Sequence, residues 1–174
     1  MRKKCLLRQL NEVLDDLYVH DALTGLYNRF GFERFGQEMY ARFLENEGKV
    51  QILFIDMDDL KGINDRFGHE LGDTAIRTTA QLLQKSCSEH DFLMRYGGDE
   101  FLVIASGQET ELLSAIRRRL EQHNLAAKLP FPLNLSIGTS VTVSEEHRTL
   151  EECIQEADAQ MYELKKKRKA EKNS

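Results

Sequence analysis

The sequence contains few cysteines, and these do not cluster. Cys5, Cys87 and Cys153 lie far apart along the 174 residues, with no CxxC pair and no Cys/His spacing typical of zinc sites. Structural zinc sites need such spacing, and disulfide frameworks need more cysteines, usually in an even number. We therefore expect three reduced thiols, as in a cytosolic protein, and neither a zinc site nor a disulfide framework.

An excess of positive charge and a long apolar run are also missing. The net charge is −5, from 24 basic and 29 acidic residues, so we expect no nucleic-acid partner, and any affinity for a polyphosphate must come from a local site. No segment approaches the roughly 18 apolar residues that span a bilayer, and the start of the chain lacks the apolar core of a signal peptide. We expect a cytoplasmic domain without a membrane segment, or the cytoplasmic end of a membrane-anchored protein.

The first helix allows two interpretations. Leu6, Leu10, Val13 and Leu17 recur at helical spacing and predict an amphipathic helix over residues 5–19. This helix either packs on its own domain or is the end of a connector from an upstream sensory or dimerising module, because so short a heptad pattern does not establish a coiled coil.

The remaining pattern predicts one mixed domain. Glycine at position 48 ends the second helix, Gly138 indicates a bend or bulge, and no linker or repeat divides the chain. We expect helices at 30–47, 71–86, 109–123 and 149–168, and strands at 50–56, 92–96, 99–104 and 133–143. This order predicts an α/β or α+β fold with a central sheet covered by helices.

Acidic residues gather at two places in this predicted sheet. Asp56, Asp58 and Asp59 follow a strand expected to be buried on both faces, where they either bind Mg²⁺ or cap the next helix. Asp99 and Glu100 follow a Gly-Gly pair, which predicts a hairpin with a two-residue turn and positive φ at its centre. Two-metal phosphoryl-transfer sites need acidic groups of this kind from both places.

The segment between these two places carries possible nucleotide contacts. An Asn64 amide and an Asp73 carboxylate can hydrogen-bond a guanine edge, because guanine offers donors that adenine lacks. His69 lies between glycines, and we interpret it as structural rather than catalytic. The basic run at 165–169 is either a solvated helix end or a phosphate clamp.

Several motifs together resemble those of the GGDEF domain family, the diguanylate cyclases. The resemblance covers residues 21–166 and involves motifs in the correct order: DALTGLYNR (21–29), DMDDLKGINDRFGHELGD (56–73), RYGGDEF (95–101), SIG (136–138) and ADAQMYELK (157–165). It implies a connector helix at 1–20, the cyclase domain at 21–170 and a tail at 171–174.

This resemblance implies a palm-like nucleotidyl-cyclase fold with a central sheet of about five strands and a hairpin carrying the signature. It also implies condensation of two GTP into cyclic di-GMP with release of two pyrophosphates. A homodimer would perform the reaction, with one GTP in each subunit, for bacterial second-messenger signalling.

The resemblance assigns roles by matching positions. Metal ions, Mg²⁺ or alternatively Mn²⁺, would be held by Asp56, the Met57 carbonyl, Asp99 and Glu100, and the three carboxylates would also be catalytic. Guanine would bind Asn64 and Asp73. The phosphates would contact Lys61 and Lys165, with the backbone of Asp59, Leu60 and Gly98 nearby.

Two departures from the family pattern affect these expectations. Ser88 replaces the arginine that begins an inhibitory product site in many members, so we expect weak product inhibition. The family's Lys-x-x-Gly-Arg-Asn ending is here KKKRKA at 165–170, so Lys169 or Arg168 would supply the second phosphate contact. Two other functions stay open: a module that binds nucleotide without catalysis, and a cyclase of relaxed base choice, against which Asp73 argues.

Overall fold

A computed structural model describes residues 18–106 and 109–172 of the chain. Within these residues, five α-helices and four strands follow one another in the order α1 (Arg29–Glu47), β1 (Lys49–Met57), α2 (Leu60–Phe67), α3 (His69–Ser86), β2 (Phe92–Arg95), β3 (Glu100–Ala105), α4 (Glu109–Leu125), β4 (Leu135–Val143) and α5 (Leu150–Lys172), with a 3-10 helix at Ser144–Glu146 before α5. The helix expected at 5–19 lies almost wholly outside the described residues and stays a prediction.

The sheet has four antiparallel strands in the order β2-β3-β1-β4. We expected about five strands, and a fifth does not form within the described residues, where Tyr27 makes only isolated bridges to His20 and Met94. The physical reason is that Asn28 follows at once and caps α1, its side chain accepting a hydrogen bond from the Gly31 N–H. The chain therefore leaves the sheet after one residue.

Strand β1 is buried on both faces, as the apolar run predicted. Leu53, Ile55 and Met57 pack into a core shared with α3 and α4. Ile52 and Phe54 point to the opposite face and pack against α1 and α5. Helices thus cover both faces, and the carboxyl end of β1 emerges in the middle of the sheet.

Two local predictions were wrong. Sequence periodicity missed α2 because it is only eight residues long with Ile63 as its one buried residue, and because Gly62 and Asp65 are residue types common in loops. A left-handed Gly68, with φ of 85°, separates α2 from α3, which begins at His69.

Gly138 makes neither a bend nor a bulge, since β4 pairs with β1 in unbroken register through Phe54 and Gly138. Its role is close packing: a Cβ there would overlap the Ala157 carbonyl and the Met161 amide of α5. This glycine therefore lets α5 lie directly on the sheet.

None of the described helices is long and apolar enough to cross a bilayer. The two cysteines within the described residues, Cys87 and Cys153, are free thiols. Gly48 ends α1 as predicted, with φ of 66° and its N–H donated to the Leu44 carbonyl.

Candidate functional site

Antiparallel pairing of β1 and β3 brings the two acidic segments together. Asp56 and Glu100 are register partners, so their side chains lie on the same face of the sheet. The Met57 N–H donates to the Asp99 carbonyl at 2.8 Å, which continues the pairing into the hairpin tip. Asp56 therefore lies close to Asp99 and Glu100, although more than forty residues separate it from them in sequence.

The carboxylate of Asp56 is buried, with only 3% of the residue exposed. Its Oδ2 accepts a 2.6 Å hydrogen bond from the Lys165 ammonium, whereas its Oδ1 is buried with no partner among the described residues. Buried polar atoms are nearly always satisfied, and an exception calls for an explanation such as an ion. Asp56 thus offers one free carboxylate oxygen.

Negative charge accumulates around this oxygen. Burial raises the pKa of the Asp56 carboxyl, and the charge of Asp99 adds to the rise, against the effect of Lys165. Burial also raises the pKa of Glu100, followed by the charges of Asp56 and Asp99. Burial lowers the pKa of Lys165, but the hydrogen bond to Asp56 and the nearby carboxylates outweigh it, so the net shift is upward. A cation would relieve this repulsion.

Within residues 18–106 and 109–172, no three His, Cys, Asp or Glu side chains form a ready metal site. This does not conflict with a magnesium centre, because Mg²⁺ commonly takes only one or two protein carboxylates and completes its coordination with water and substrate phosphate. The free oxygen of Asp56 and the adjacent acidic groups fit that kind of donor set.

The hairpin tip differs from the predicted two-residue turn. Residues 96–99 lie between the strands, the Tyr96 N–H donates to the Glu100 carbonyl at 2.8 Å, and neither Gly97 nor Gly98 has positive φ. Arg95 stabilises the longer turn by donating from Nε to the Gly97 carbonyl at 3.1 Å and from Nη2 to the Gly98 carbonyl at 2.7 Å.

The two glycines of this tip have different surroundings. A Cβ at Gly97 would lie 2.7 Å from the Glu100 carboxylate, so Glu100 lies across that backbone. A Cβ at Gly98 would meet no atom within 4 Å. Gly98 therefore presents an open, exposed stretch of backbone beside the acidic residues.

Site prediction from the sequence missed the contact between Arg95 and Asp21. Nη1 of Arg95 lies 3.1 Å from Asp21 Oδ1, and the two side chains are only 15% and 23% exposed. Burial raises the pKa of Asp21, but hydrogen bonds from Thr24 and Arg95 outweigh it and lower the pKa overall. Arg95, two residues before Gly97, was the available signal, but spacing alone did not indicate its partner.

The start of α2 lies directly after β1. Asp59 has φ of 66° and makes no side-chain capping bond, so it does not satisfy the first N–H groups of the helix. Its carboxylate lies over Gly62 instead. Leu60 and Lys61 begin the helix, and Lys61 is exposed. A helix start without a side-chain cap is a potential anion-binding point.

The predicted base-binding residues lie at the junction of α2 and α3. The Asn64 side chain contacts the Gly72 backbone, since a Cβ on Gly72 would overlap the Asn64 amide oxygen. Asp73 follows Gly72 on α3 and is half-buried. The two residues that we expected to bind guanine therefore come from adjacent helices, held together by a glycine contact.

Helix α5 places basic side chains beside the acidic edge, the cluster of Asp56, Asp58, Asp99 and Glu100 at this end of β1 and β3. Lys165 binds Asp56, as described above, and Arg168 Nη1 lies 3.0 Å from Asp58 Oδ2. Lys169 belongs to α5, but its side chain is not among the parts of the chain that the structure describes. Asp58 also accepts from Ser136 Oγ at 2.8 Å, so this carboxylate is engaged by protein groups.

A cavity of about 480 Å³ lies elsewhere, between α4, β4 and α5. Both apolar and polar side chains line it, and Arg168 is the one predicted site residue among them; the other lining residues include Leu120, Leu133, Leu164, Arg117 and Glu121. We place the candidate site at the acidic edge instead, because buried charge with an unsatisfied oxygen indicates chemistry more specifically than apolar space does.

Known proteins resemble this chain over nearly its whole length. A sequence model described as "Diguanylate cyclase, GGDEF domain" matches residues 18–171. Diguanylate cyclase DgcP of Escherichia coli (strain K12) is 33% identical over 175 residues, covering 95% of this chain and 51% of the relative. Probable diguanylate cyclase DgcC of the same strain is 33% identical over 159 residues, covering 88% and 42% respectively. The chain thus spans about half the length of these relatives, or less.

Solved structures show the same fold. The coiled coil and GGDEF domain of DgcB from Caulobacter crescentus, in complex with c-di-GMP, superposes with a TM-score of 0.84 at 22% identity, covering 95% of this chain and 90% of that one. A sensory box/GGDEF family protein from Caulobacter crescentus CB15 gives a TM-score of 0.70 at 32% identity, covering 86% and 99%. By family match, sequence identity and fold, the chain belongs to the GGDEF domain family of diguanylate cyclases.

Proposed function

We propose that this chain binds one GTP and Mg²⁺ and, as a homodimer, condenses two GTP into cyclic di-GMP with release of two pyrophosphates. The observation that carries the proposal is the buried Asp56 with one unpartnered oxygen, paired in register with Glu100 beside an open glycine turn. The names of the curated relatives support the same reaction.

The acidic residues would hold the metal. Asp56 and Asp99 would bind Mg²⁺, or Mn²⁺ in its place, together with the Met57 carbonyl, and Glu100 would bind metal or accept the proton of the attacking 3′-hydroxyl. Upward-shifted pKa values at Asp56 and Glu100 are typical of groups whose charge awaits a cation. The bound metal would neutralise charge on the triphosphate and favour attack at the α-phosphorus.

Phosphate contacts would come from backbone and side chains around the acidic edge. The uncapped start of α2 offers N–H groups at Asp59 and Leu60, and Lys61 is exposed beside them. Gly98 offers open backbone. Lys165 already lies against Asp56, where it would contact a phosphate once a metal shares that carboxylate.

Base selection would depend on the junction of α2 and α3. Asn64 can donate to and accept from guanine, and Asp73 can accept from the ring N–H and the exocyclic amine. Adenine presents a lone pair where guanine presents the ring N–H, so a carboxylate at that place disfavours it.

A dimer follows from the stoichiometry of the reaction. Each product molecule contains two guanylate units, and the residues described above provide for one GTP per chain. Two chains must face each other so that each 3′-hydroxyl reaches the α-phosphorus of the opposite GTP. Because GTP is an intracellular nucleotide, we propose that the reaction takes place on the cytoplasmic side.

Incubation with GTP and Mg²⁺, followed by mass spectrometry of the products, tests the proposal. We expect cyclic di-GMP from the unchanged chain and at least about a hundredfold less from D99N, which removes a ligand charge. E38Q is the matched control, because Glu38 is an exposed carboxylate in α1 and its loss should leave turnover unchanged. GTP binding without any product would indicate a nucleotide-binding module instead.

A further inference from the structure

Near its end, α5 contacts other elements through Arg168 as well as through Lys165. Arg168 Nη1 donates to Asp58 Oδ2 at 3.0 Å and to the Leu135 carbonyl at 2.6 Å. Asp58 in turn accepts from Ser136 Oγ at 2.8 Å and donates its own N–H to the Asn134 carbonyl at 2.9 Å. The hydrogen bonds of Arg168 and Asp58 therefore connect the segment after β1, the start of β4 and the last turns of α5.

Apolar packing holds this part of α5 only weakly. Met161 is buried, but the residues from 162 to 168 are exposed apart from the half-buried Lys165. Leu164 is 41% exposed and borders the cavity of about 480 Å³, so the sheet side of the helix is incompletely filled there. In this described stretch, the hydrogen bonds that reach another element come from Lys165 and Arg168.

Arg168 and Lys165 lie on one face of the helix. Met161, Lys165 and Arg168 recur at spacings of four and three residues, which is one helical stripe. Met161 fixes the stripe at one end, where Gly138 allows close contact with β4. Arg168 fixes it at the other end, and Lys165 lies between the two.

Lysine alone would fix its own position poorly. Its four-carbon stem is flexible and its ammonium bonds one acceptor, Asp56, whereas Arg168 Nη1 bonds both Asp58 Oδ2 and the Leu135 carbonyl. Asp58 is a suitable anchor because its side chain is only 12% exposed, whereas isolated surface ion pairs contribute little. The structure therefore separates two tasks, with Arg168 positioning the helix and Lys165 facing the active-site carboxylate.

We propose that Arg168 is a positioning residue that clamps the last turns of α5 to Asp58 and to the Leu135 carbonyl, and thereby holds Lys165 over Asp56. This inference rests on the proposed function of Lys165 as a phosphate contact.

Hydrogen exchange on the metal-free, nucleotide-free protein tests the clamp without any catalysis. In R168M, the amides of residues 162–168 should exchange at least about fivefold faster, because local opening of the helix end becomes easier. K167M is the matched control, since Lys167 is an exposed cation one residue away and should leave exchange unchanged. Unchanged exchange in R168M would overturn the clamp.

A double-mutant cycle tests whether the clamp acts through Lys165. We expect R168M to lower kcat/KM for GTP by about tenfold, since small misplacement of a catalytic contact is costly, and R168K to recover part of the loss. In a K165M background the same change should cost less than about twofold, because coupled residues are not additive. An undiminished tenfold loss there would show that Arg168 acts independently and would overturn the proposal. An inactive wild type would count against the proposed function, and hydrogen exchange would still decide the clamp.

Discussion

Gly98 shows how a residue can be unconstrained by the fold and still be required by a ligand. Its φ is not positive, and an added Cβ would meet no atom within 4 Å. We expect G98A to keep or raise the free energy of unfolding by up to about 1 kcal/mol, because alanine restricts the unfolded chain. Cyclase turnover should fall by more than about tenfold, since the methyl group projects into the space proposed for a phosphate. Denaturant unfolding and product formation measure the two effects, and full activity in G98A would contradict close approach of GTP.

Glu100 carries a charge that the fold does not favour. Burial and the charges of Asp56 and Asp99 raise its pKa, so its ionisation costs stability. That cost is absent below the pKa of an unfolded glutamate and fully present above the raised pKa of the folded state. We expect E100Q to stabilise the metal-free protein by a few tenths to about 1 kcal/mol at pH 7 while abolishing turnover.

The pH dependence provides the check on Glu100. The stability gain of E100Q should disappear as the pH falls below about 4, near the pKa of unfolded glutamate. Thermal unfolding of E100Q, wild type and the exposed control E38Q across this range measures it. A gain that persists at low pH, or one equalled by E38Q, would show that electrostatic repulsion at the acidic edge is not the cause.

Asp73 is the residue on which base choice should depend. Its position beside the Asn64–Gly72 contact places it at the junction of two helices. We expect D73S to bring kcat/KM for GTP and ATP closer together by about tenfold or more, because the carboxylate no longer faces the adenine lone pair. Competition assays with both nucleotides measure the ratio. Unaltered discrimination in D73S would place specificity elsewhere.

At the scale of elements, the contact between α5 and β4 depends on one glycine. A Cβ at Gly138 would overlap the Ala157 carbonyl and the Met161 amide, both backbone atoms that cannot rotate away. We expect G138A to destabilise the protein by about 3 kcal/mol or more, in contrast to G98A, because α5 must move off the sheet. Chemical denaturation of the two glycine variants makes the comparison, and equal stabilities would contradict direct packing of α5 on β4.

The sequence predicted most elements because their signals are local. In α1, Phe32, Phe35, Met39 and Phe43 recur at helical spacing, and β1 is a short continuous apolar run. Helix α2 was not predicted because it spans only eight residues, which is too short for a periodic pattern to identify a helix. The conformation of the hairpin turn was predicted wrongly, because it depends on hydrogen bonds from Arg95 to the carbonyls of Gly97 and Gly98. Residue preferences for two-residue turns do not include such an interaction.

The candidate site was predictable as a set of residue types and less so as contacts. Motif resemblance named Asp56, Glu100 and Lys165, and β1–β3 pairing brings the first two into register. It did not indicate that Lys165 would bind Asp56, or that Arg168 would bind Asp58. Those contacts depend on how α5 lies across the sheet, which is a property of tertiary packing.

For the whole molecule, the proposed reaction requires two chains for one product. The acidic edge, the α2 start and the α2–α3 junction would together bind one GTP in each chain, and two such sites would have to meet. Activity should therefore depend on dimerisation, and weak association would make the isolated chain slow at low concentration.

The most direct test of this account is the rate of cyclic di-GMP formation as a function of protein concentration, at saturating GTP and Mg²⁺. At protein concentrations well below the Kd of the dimer, we expect the rate to rise with the square of the protein concentration. When a fused dimerisation domain keeps two chains together, the rate should instead be proportional to protein concentration. Strict proportionality at every concentration would contradict the shared site. Absence of cyclic di-GMP from the fused dimer, with GTP still bound, would contradict the cyclase function itself.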